Sequence, residues 1–259
     1  PLTAELMAAA PRLRVVGKAG TGVDSIDVRA ATARGLPVTN VPGALRASSM
    51  AEHVFTFMLI LSRHPWLWES KPVPHCALEG AVLGIVGLGE IGKAVAGRAS
   101  AFGMKIIAHT RTGGKFRPEG YSVEETASLE ALLPRADYLV LCVPLSPETD
   151  SLIGEKELAR MKTSAFLINV ARGRVVDTDA LVKALGEGHI AGAGLDVTDP
   201  EPLPGNHPLR GFPNAVVSPH IGALNDRIQR TAIELMCRNI RLAVEGERPE
   251  FIVNPEIFG

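Results

Sequence analysis

Several features are scarce in this sequence, and each scarcity removes a class of protein. Cysteine occurs three times, as Cys76, Cys142 and Cys237, with no C-x-x-C spacing. That argues against both a disulfide framework and a zinc site, makes a reducing cytoplasm the expected setting, and gives no metal to expect. Charge of one sign is missing too: the net charge is −1 and the 27 Lys and Arg are scattered, so there is no basic block to bind nucleic acid. The most apolar stretch, Val54-Phe-Thr-Phe-Met-Leu-Ile-Leu61, lies between His53 and Ser62-Arg63 and is far too short to span a bilayer. It reads as part of a buried helix. The chain opens Pro1-Leu-Thr-Ala-Glu, already inside a helix-like pattern and without Met or a signal region, so the true start is expected upstream.

What is present is apolar and regularly alternating. With 46% hydrophobic residues over 259 positions, a sizeable core and two domains are expected. From Leu2 to about Pro65 the pattern gives helix over 4–10, strand at Leu13-Arg-Val-Val, helix through Ala30-Ala-Thr-Ala and strand at Leu36-Pro-Val-Thr. A long apolar helix over 48–62 follows. Two short strands leave an open edge, so this is read as a partial domain. After a Pro-rich break, Lys71-Pro-Val-Pro-His, strands are expected to begin at Ala81, Lys105, Tyr138, Ala165, Gly192 and Ala215. Helices fall between them over 92–101, 129–133 and 177–185, the last capped by Asp177. A final helix covers 225–244. Short β-branched strands alternating with helices imply an α/β fold with a parallel sheet covered on both faces. The expected division is 1–66 for a substrate domain, 67–222 for a dinucleotide-binding domain, and 223–259 for a helix returning to the first.

The first strand of the second domain runs into Gly87-Leu-Gly89-Glu-Ile-Gly92. There the first glycine permits the turn, the second lets the backbone approach a pyrophosphate, and the third lets the helix pack closely. The pattern is weak alone, but the strand before it, the helix after it and the next strand at Lys105 give it context. At the end of that next strand an NAD site would present Asp or Glu to the ribose; this chain has His109-Thr110-Arg111-Thr112. No carboxylate repels a 2′-phosphate, and Arg111 can pair with one, so NADP(H) is favoured over NAD(H). The plainer reading of Arg111 is a solvated surface arginine.

Arg172, Glu201 and His220 follow three successive strand-like runs, whose ends gather at one crevice of an open α/β sheet. Reducing a carbonyl requires a proton for the forming alkoxide, and histidine, with an ordinary pKa near ~6.5, is suited to give it. A carboxylate behind an imidazole fixes the ring, and a guanidinium offers a planar fork to a substrate carboxylate that lysine lacks. Singly, Arg172 could neutralise a loop, Glu201 could be surface, and His220 could be a core histidine; their joint placement favours chemistry.

Six stretches then stand in one order: Ala19-Gly-Thr-Gly-Val-Asp24, Ala51-Glu52-His53, the glycine turn, Asn169-Val-Ala-Arg-Gly-Arg-Val-Val-Asp177, Gly194-Leu-Asp-Val-Thr-Asp-Pro-Glu-Pro202 and Ser218-Pro-His-Ile-Gly222. In that order, over essentially the whole chain, they resemble the D-isomer-specific 2-hydroxyacid dehydrogenases, a family that includes phosphoglycerate dehydrogenases and glyoxylate/hydroxypyruvate reductases. The resemblance implies a doubly wound Rossmann cofactor domain and a flavodoxin-like substrate domain, here incomplete. It makes Arg172, Glu201 and His220 the catalytic set for reversible reduction of a small 2-oxo acid to the D-2-hydroxy acid. It places the dinucleotide on Gly87, Gly89, Glu90, Ile91 and Gly92, on Thr110 and Arg111, and on Val143, Pro144 and Thr149. Further along, it adds Val170, Ala171, Asp196, His220 and Gly222. Substrate falls to Thr21 and Gly22, whose loop presents backbone N–H groups, together with Arg172 and His220.

Arg174, two residues after Arg172, reads as structural. A homodimer is implied, to which helix 48–62 contributes unless it is plain core. Two departures stand out: the family's opening βαβ stretch is absent, and the segment from Ser62 to Leu78 is short. The loop from Asn40 to Ala51 is one residue longer than usual, which puts Arg46 near the substrate side. Phosphoglycerate dehydrogenase is the enzyme alternative; it needs an extra basic residue for a phosphate, for which Arg46 is a weak candidate. Formate dehydrogenases carry Gln where Glu201 stands and are disfavoured. A dinucleotide-sensing, corepressor-like module is the non-enzyme alternative.

Overall fold

The structure, a computed structural model, describes residues 1–65, 75–114 and 116–258. The expected Pro-rich break lies largely outside the described residues, as does most of the short segment between Ser62 and Leu78. The chain forms two compact units, Ala47–Ala223 and a second made of Pro1–Arg46 with the chain from Leu224 onward.

In the smaller unit, β1 (Val16–Gly17) pairs in parallel with β2 (Val38–Thr39). Helices α1 (Ala4–Ala8) and α2 (Val28–Ala33) bury Met7 and Ala31 against Leu36 and Val38. Gly17 lets the C-terminal helix α8 (Asp226–Glu245) lie on the strand, since a Cβ there would come within 2.5 Å of Ile240. Asn254, fully buried, ties the C-terminal segment to β2 by accepting from the Val38 N–H and donating to the Leu36 carbonyl.

The larger unit is built on seven parallel strands in the order β5-β4-β3-β6-β7-β8-β9. They are β3 (Val82–Val86), β4 (Lys105–His109), β5 (Glu124–Glu125), β6 (Tyr138–Leu141), β7 (Phe166–Asn169), β8 (Gly192–Leu195) and β9 (Ala215–Val217). Side chains alternate between faces. Val86, Leu139, Leu141, Leu167, Ala193 and Leu195 join one core with α5 (Leu129–Leu132), α6 (Glu155–Leu158) and α7 (Thr178–Gly186). Leu83, Ile85, Tyr138, Val140, Phe166 and Ile168 join the other with α3 (Ala44–Arg63) and α4 (Glu90–Ala101). This is the doubly wound α/β sheet expected, with near-continuous apolar strands because both faces are covered.

Two differences from expectation have clear causes. Helix α3, assigned with residues 1–66 to the substrate domain, buries one face, Met50, Ala51, Val54, Phe55, Phe57, Met58 and Leu61, in the core of the larger unit. It fits there because β8 offers glycines: a Cβ at Gly194 would lie 2.6 Å from the Phe57 ring and one at Gly192 would lie 3.3 Å from Leu61. Strand β5 was not expected, because its two residues are glutamates with no apolar signal. A short charged strand is also what keeps an open edge from pairing with another chain.

A methyl group at Gly194 has no space to enter without moving Phe57. Gly194→Ala is expected to cost about 1–3 kcal/mol through overpacking, with part recovered in Gly194→Ala/Phe57→Leu. Denaturant midpoints of the two variants measure this, and equal losses would remove the steric account.

Candidate active site

The strand order switches sides between β3 and β6, with β4 and β5 laid down on one side of β3 and β6 to β9 on the other, and such a switch point is where a dinucleotide enters an open α/β fold. At that point Gly87 has φ +97°, and a Cβ on it would lie 2.8 Å from the Cys142 carbonyl oxygen and 2.9 Å from Val143. Gly92 would press a Cβ to 2.1 Å from the Gly87 oxygen. At Gly89 a Cβ would meet nothing within 4 Å, so the backbone is open toward the crevice just where a pyrophosphate must approach. Gly89 also caps α4 without any side chain, leaving the first N–H groups of a 12-residue helix available to an anion, with Glu90 and Ile91 in that first turn. The turn therefore fits a dinucleotide on its own geometry.

The neighbouring loops converge on the same edge. Thr110 and the exposed Arg111 follow β4. The Glu148 carboxyl is held below the usual range by the Ser146 hydroxyl and its own backbone N–H, with the Arg111 charge adding to them. Val143 and Pro144 follow β6, and the Thr149 hydroxyl donates to the Pro144 carbonyl at 2.7 Å while accepting from the Ser146 N–H. Val170 and Ala171, both buried, follow β7.

Arg172 comes next, partly exposed, its Nη1 donating to the Ala171 carbonyl at 2.7 Å. The loop is shaped by buried Asn169, which accepts from the Ala171 N–H and donates to the Arg172 carbonyl. Gly173 then touches the loop after β8, where a Cβ would fall 2.0 Å from the Thr198 carbonyl oxygen. No other residue allows these two backbones so close, and the second of them leads directly to Glu201. Arg174 points elsewhere and pairs with Asp150.

Past β9, His220 adopts a left-handed backbone, φ +56°, and its Nδ1 lies 2.7 Å from Glu201 Oε1. The two side chains are 49% and 43% exposed, so the pair faces solvent instead of the core. The histidine loop is fastened from below by Asp196, 1% exposed at the end of β8. Its backbone carbonyl accepts from the His220 N–H at 2.9 Å. Its carboxylate accepts from the Ser218 hydroxyl at 2.6 Å, the Ile221 N–H at 2.8 Å and the Gly222 N–H at 3.0 Å. Burial pushes this carboxyl up, but hydrogen bonds from His53, Ser218, Ile221 and Gly222 outweigh it and bring it down to about 2.

His53 and Ser49 were not singled out as site residues from sequence. Both lie on α3, where His53 Nε2 sits 2.8 Å from Ser218 Oγ and Ser49 donates to the Gly222 carbonyl at 3.0 Å. The available signal was the Ala51-Glu52-His53 stretch, with Ser49 four residues before His53 on the same helix. Thr21 and Gly22 lie in the smaller unit, where the Thr21 carbonyl accepts from Asn40. Arg46, also there, gives a guanidinium N–H to the Ala19 carbonyl. Among the described residues no group of three or more His, Cys, Asp or Glu side chains could hold a metal ion, and no helix is long and apolar enough to cross a membrane.

The family model described as D-isomer specific 2-hydroxyacid dehydrogenase, NAD binding domain, matches residues 47–222, which is nearly the whole larger unit. A glyoxylate reductase of Pyrococcus furiosus is 41% identical over 269 residues, covering 98% of this chain and 79% of that protein. The crystal structure of TT0316 protein from Thermus thermophilus superposes with a TM-score of 0.89 at 41% identity, covering 97% of this chain and 82% of that one. A glyoxylate reductase structure from Paecilomyes thermophila gives a TM-score of 0.89 at 35% identity, covering 99% and 80%. The matched domain is an NAD-binding one, and the chain belongs to the D-isomer specific 2-hydroxyacid dehydrogenase family.

Proposed function

We propose that the protein reduces a small 2-oxo acid, glyoxylate or hydroxypyruvate, to the 2-hydroxy acid, the D isomer where a stereocentre forms, with NADPH preferred to NADH. The observation that carries the reading is the 2.7 Å pairing of His220 Nδ1 with Glu201 at the carboxyl edge of an NAD-binding sheet. The similarity to glyoxylate reductases supports the substrate class.

When bound, the nicotinamide supplies the hydride. His220, held through Nδ1 by Glu201, presents Nε2 to the carbonyl oxygen and delivers the proton as negative charge develops there. Arg172, braced on the Ala171 carbonyl, clamps the substrate carboxylate with a planar fork and draws charge toward the reacting oxygen. Thr21 and Gly22 are the proposed further ligands of that carboxylate. Asp196 keeps a fixed negative charge beneath the His220 loop and is the proposed neighbour of the nicotinamide end. Arg111, with Thr110 beside it, pairs with the 2′-phosphate. A homodimer in a reducing cytoplasm is the proposed setting.

His220→Gln is expected to lower kcat for glyoxylate by about 100-fold to 10,000-fold while NADPH affinity changes little. Turnover near the wild-type rate removes His220 from the mechanism, and cofactor binding with no turnover on any 2-oxo acid by the wild type turns the reading to a sensing module.

The coenzyme preference rests on Arg111. Arg111→Ala should raise the KM for NADPH about tenfold and leave that for NADH nearly unchanged, because the lost contact is with the 2′-phosphate alone. A wild-type enzyme that favours NADH sinks this assignment.

Asp196 gives a pH-dependent stability with a definite sign. Its carboxyl lies at about 2 when folded against 3.8 for the free group, so folding favours the ionised form. The stabilisation, roughly 2 kcal/mol, is present above about pH 4 and is lost as the pH falls toward 2. Asp196→Asn should therefore be less stable than wild type at pH 7, by a gap that narrows on acidification. Denaturant melts at a series of pH values would show a constant gap if the charge were irrelevant.

A further inference from the structure

We propose that His53, on α3, is a positioning residue for the reduction, holding His220 in register through Ser218 and Asp196. The proposal rests on the reading of His220 as the proton donor. Its basis is a chain of contacts wholly inside the larger unit. Ser218 Oγ lies 2.6 Å from Asp196 Oδ1, and a carboxylate can only accept, so the Ser218 hydrogen is committed to Asp196. The 2.8 Å contact between His53 Nε2 and Ser218 Oγ must then be donated by the imidazole, which fixes the proton on Nε2. The same nitrogen lies 3.3 Å from Asp196 Oδ1, so one N–H is shared between the two oxygens.

Around this point the loop is tightly enclosed. A Cβ on Gly222 would lie 2.8 Å from Asp196 Oδ2, 3.0 Å from the His53 ring and 3.0 Å from Met50. The His53 ring itself is set edge-on to Phe57 at 4.5 Å between centroids. Asp196 in turn holds three consecutive backbone N–H groups, those of His220, Ile221 and Gly222. The left-handed backbone of His220 is therefore held by a network that α3 joins through His53, with Ser49 beside it on the Gly222 carbonyl. Without the His53 donor, Ser218 and Asp196 lose one of the contacts that set their orientation, and the imidazole of His220 shifts in its alignment with Glu201.

Two amide substitutions separate positioning from bulk packing, because glutamine places its nitrogen near Nε2 and asparagine near Nδ1. In the full-length protein, His53→Asn is expected to lower kcat for glyoxylate by about tenfold to 100-fold, as a misplacement of the reacting group by about an ångström does. Its NADPH affinity, read by cofactor fluorescence, should stay near wild type. His53→Gln should keep kcat within about threefold, since its amide can still donate to Ser218 and Asp196. Equal kcat values for the two variants overturn the proposal. The second readout does not depend on turnover: with the ring neutral, as it is left once Nε2 has given up its proton, ¹⁵N spectra of labelled imidazoles report whether His220 keeps its remaining proton on Nδ1. The wild type and His53→Gln should hold that single tautomer, and His53→Asn should mix the two. If the wild type turns over no 2-oxo acid, the proposed function fails while this spectrum still decides the role of His53; an unchanged tautomer in His53→Asn overturns it.

Discussion

All seven strands of the large sheet run the same way, and the placement of every candidate group in that unit depends on this single constraint. Parallel pairing puts each strand's carboxyl end at one edge, so the turn after β3 and the loops after β4, β6, β7, β8 and β9 open together. Residues 87, 111, 143, 172, 196 and 220 are separated by up to about 130 positions in the chain, yet each is the first or second loop residue after its strand or close to it. The same parallel arrangement requires cover on both faces, which is why β3, β6, β7, β8 and β9 are almost wholly apolar and why helices alternate sides.

Close approach of backbones is the second requirement, and glycine meets it at a few places. Gly92 lets α4 start directly over the Gly87 carbonyl, which aims the helix N-terminus into the crevice. Gly173 lets the Arg172 loop rest on Thr198 and Asp199, so that a guanidinium and a carboxylate from different strands emerge as neighbours in the sheet order. Gly192 and Gly194 let α3 descend onto β8, and only from that position can His53 and Ser49 reach the 218–222 segment. Packing that looks purely structural thus determines what stands next to the histidine.

Much of this was legible in the sequence because the signals were local. Apolar runs marked β3, β4, β6, β7, β8 and β9 to within one or two residues, and Asp177 caps α7 through the Ala180 N–H as its position implied. The order of Gly87, Arg172, Glu201 and His220 after successive strands pointed to one edge before any coordinates. What escaped were features set by tertiary contact. Strand β5 consists of two glutamates and carries no hydrophobic pattern. Helix α3 looked like part of the first domain because sequence proximity was the only guide, whereas its partner glycines lie some 130 residues downstream. Asp196 looked like a group beside the cofactor, and its buried bonds to the 218–222 segment depend on a loop that folds back across 25 residues.

The conformation of His220 links these layers. A non-glycine residue at φ +56° is disfavoured by about 1–2 kcal/mol, and an exposed loop left to itself would relax from it. Here the opposing force is ionic: a carboxylate that stays charged in the interior because four donors converge on it, two of them N–H groups of the residues directly after His220. A neutral acceptor in its place would bind those N–H groups less strongly, since hydrogen bonds to a charged group are roughly twice as strong as neutral ones. The strained backbone turns the imidazole outward to Glu201, while the charge that maintains the strain remains buried under it. The outward setting of the His220–Glu201 pair and the ionised state of the buried acid are therefore tied to the same carboxylate, Asp196.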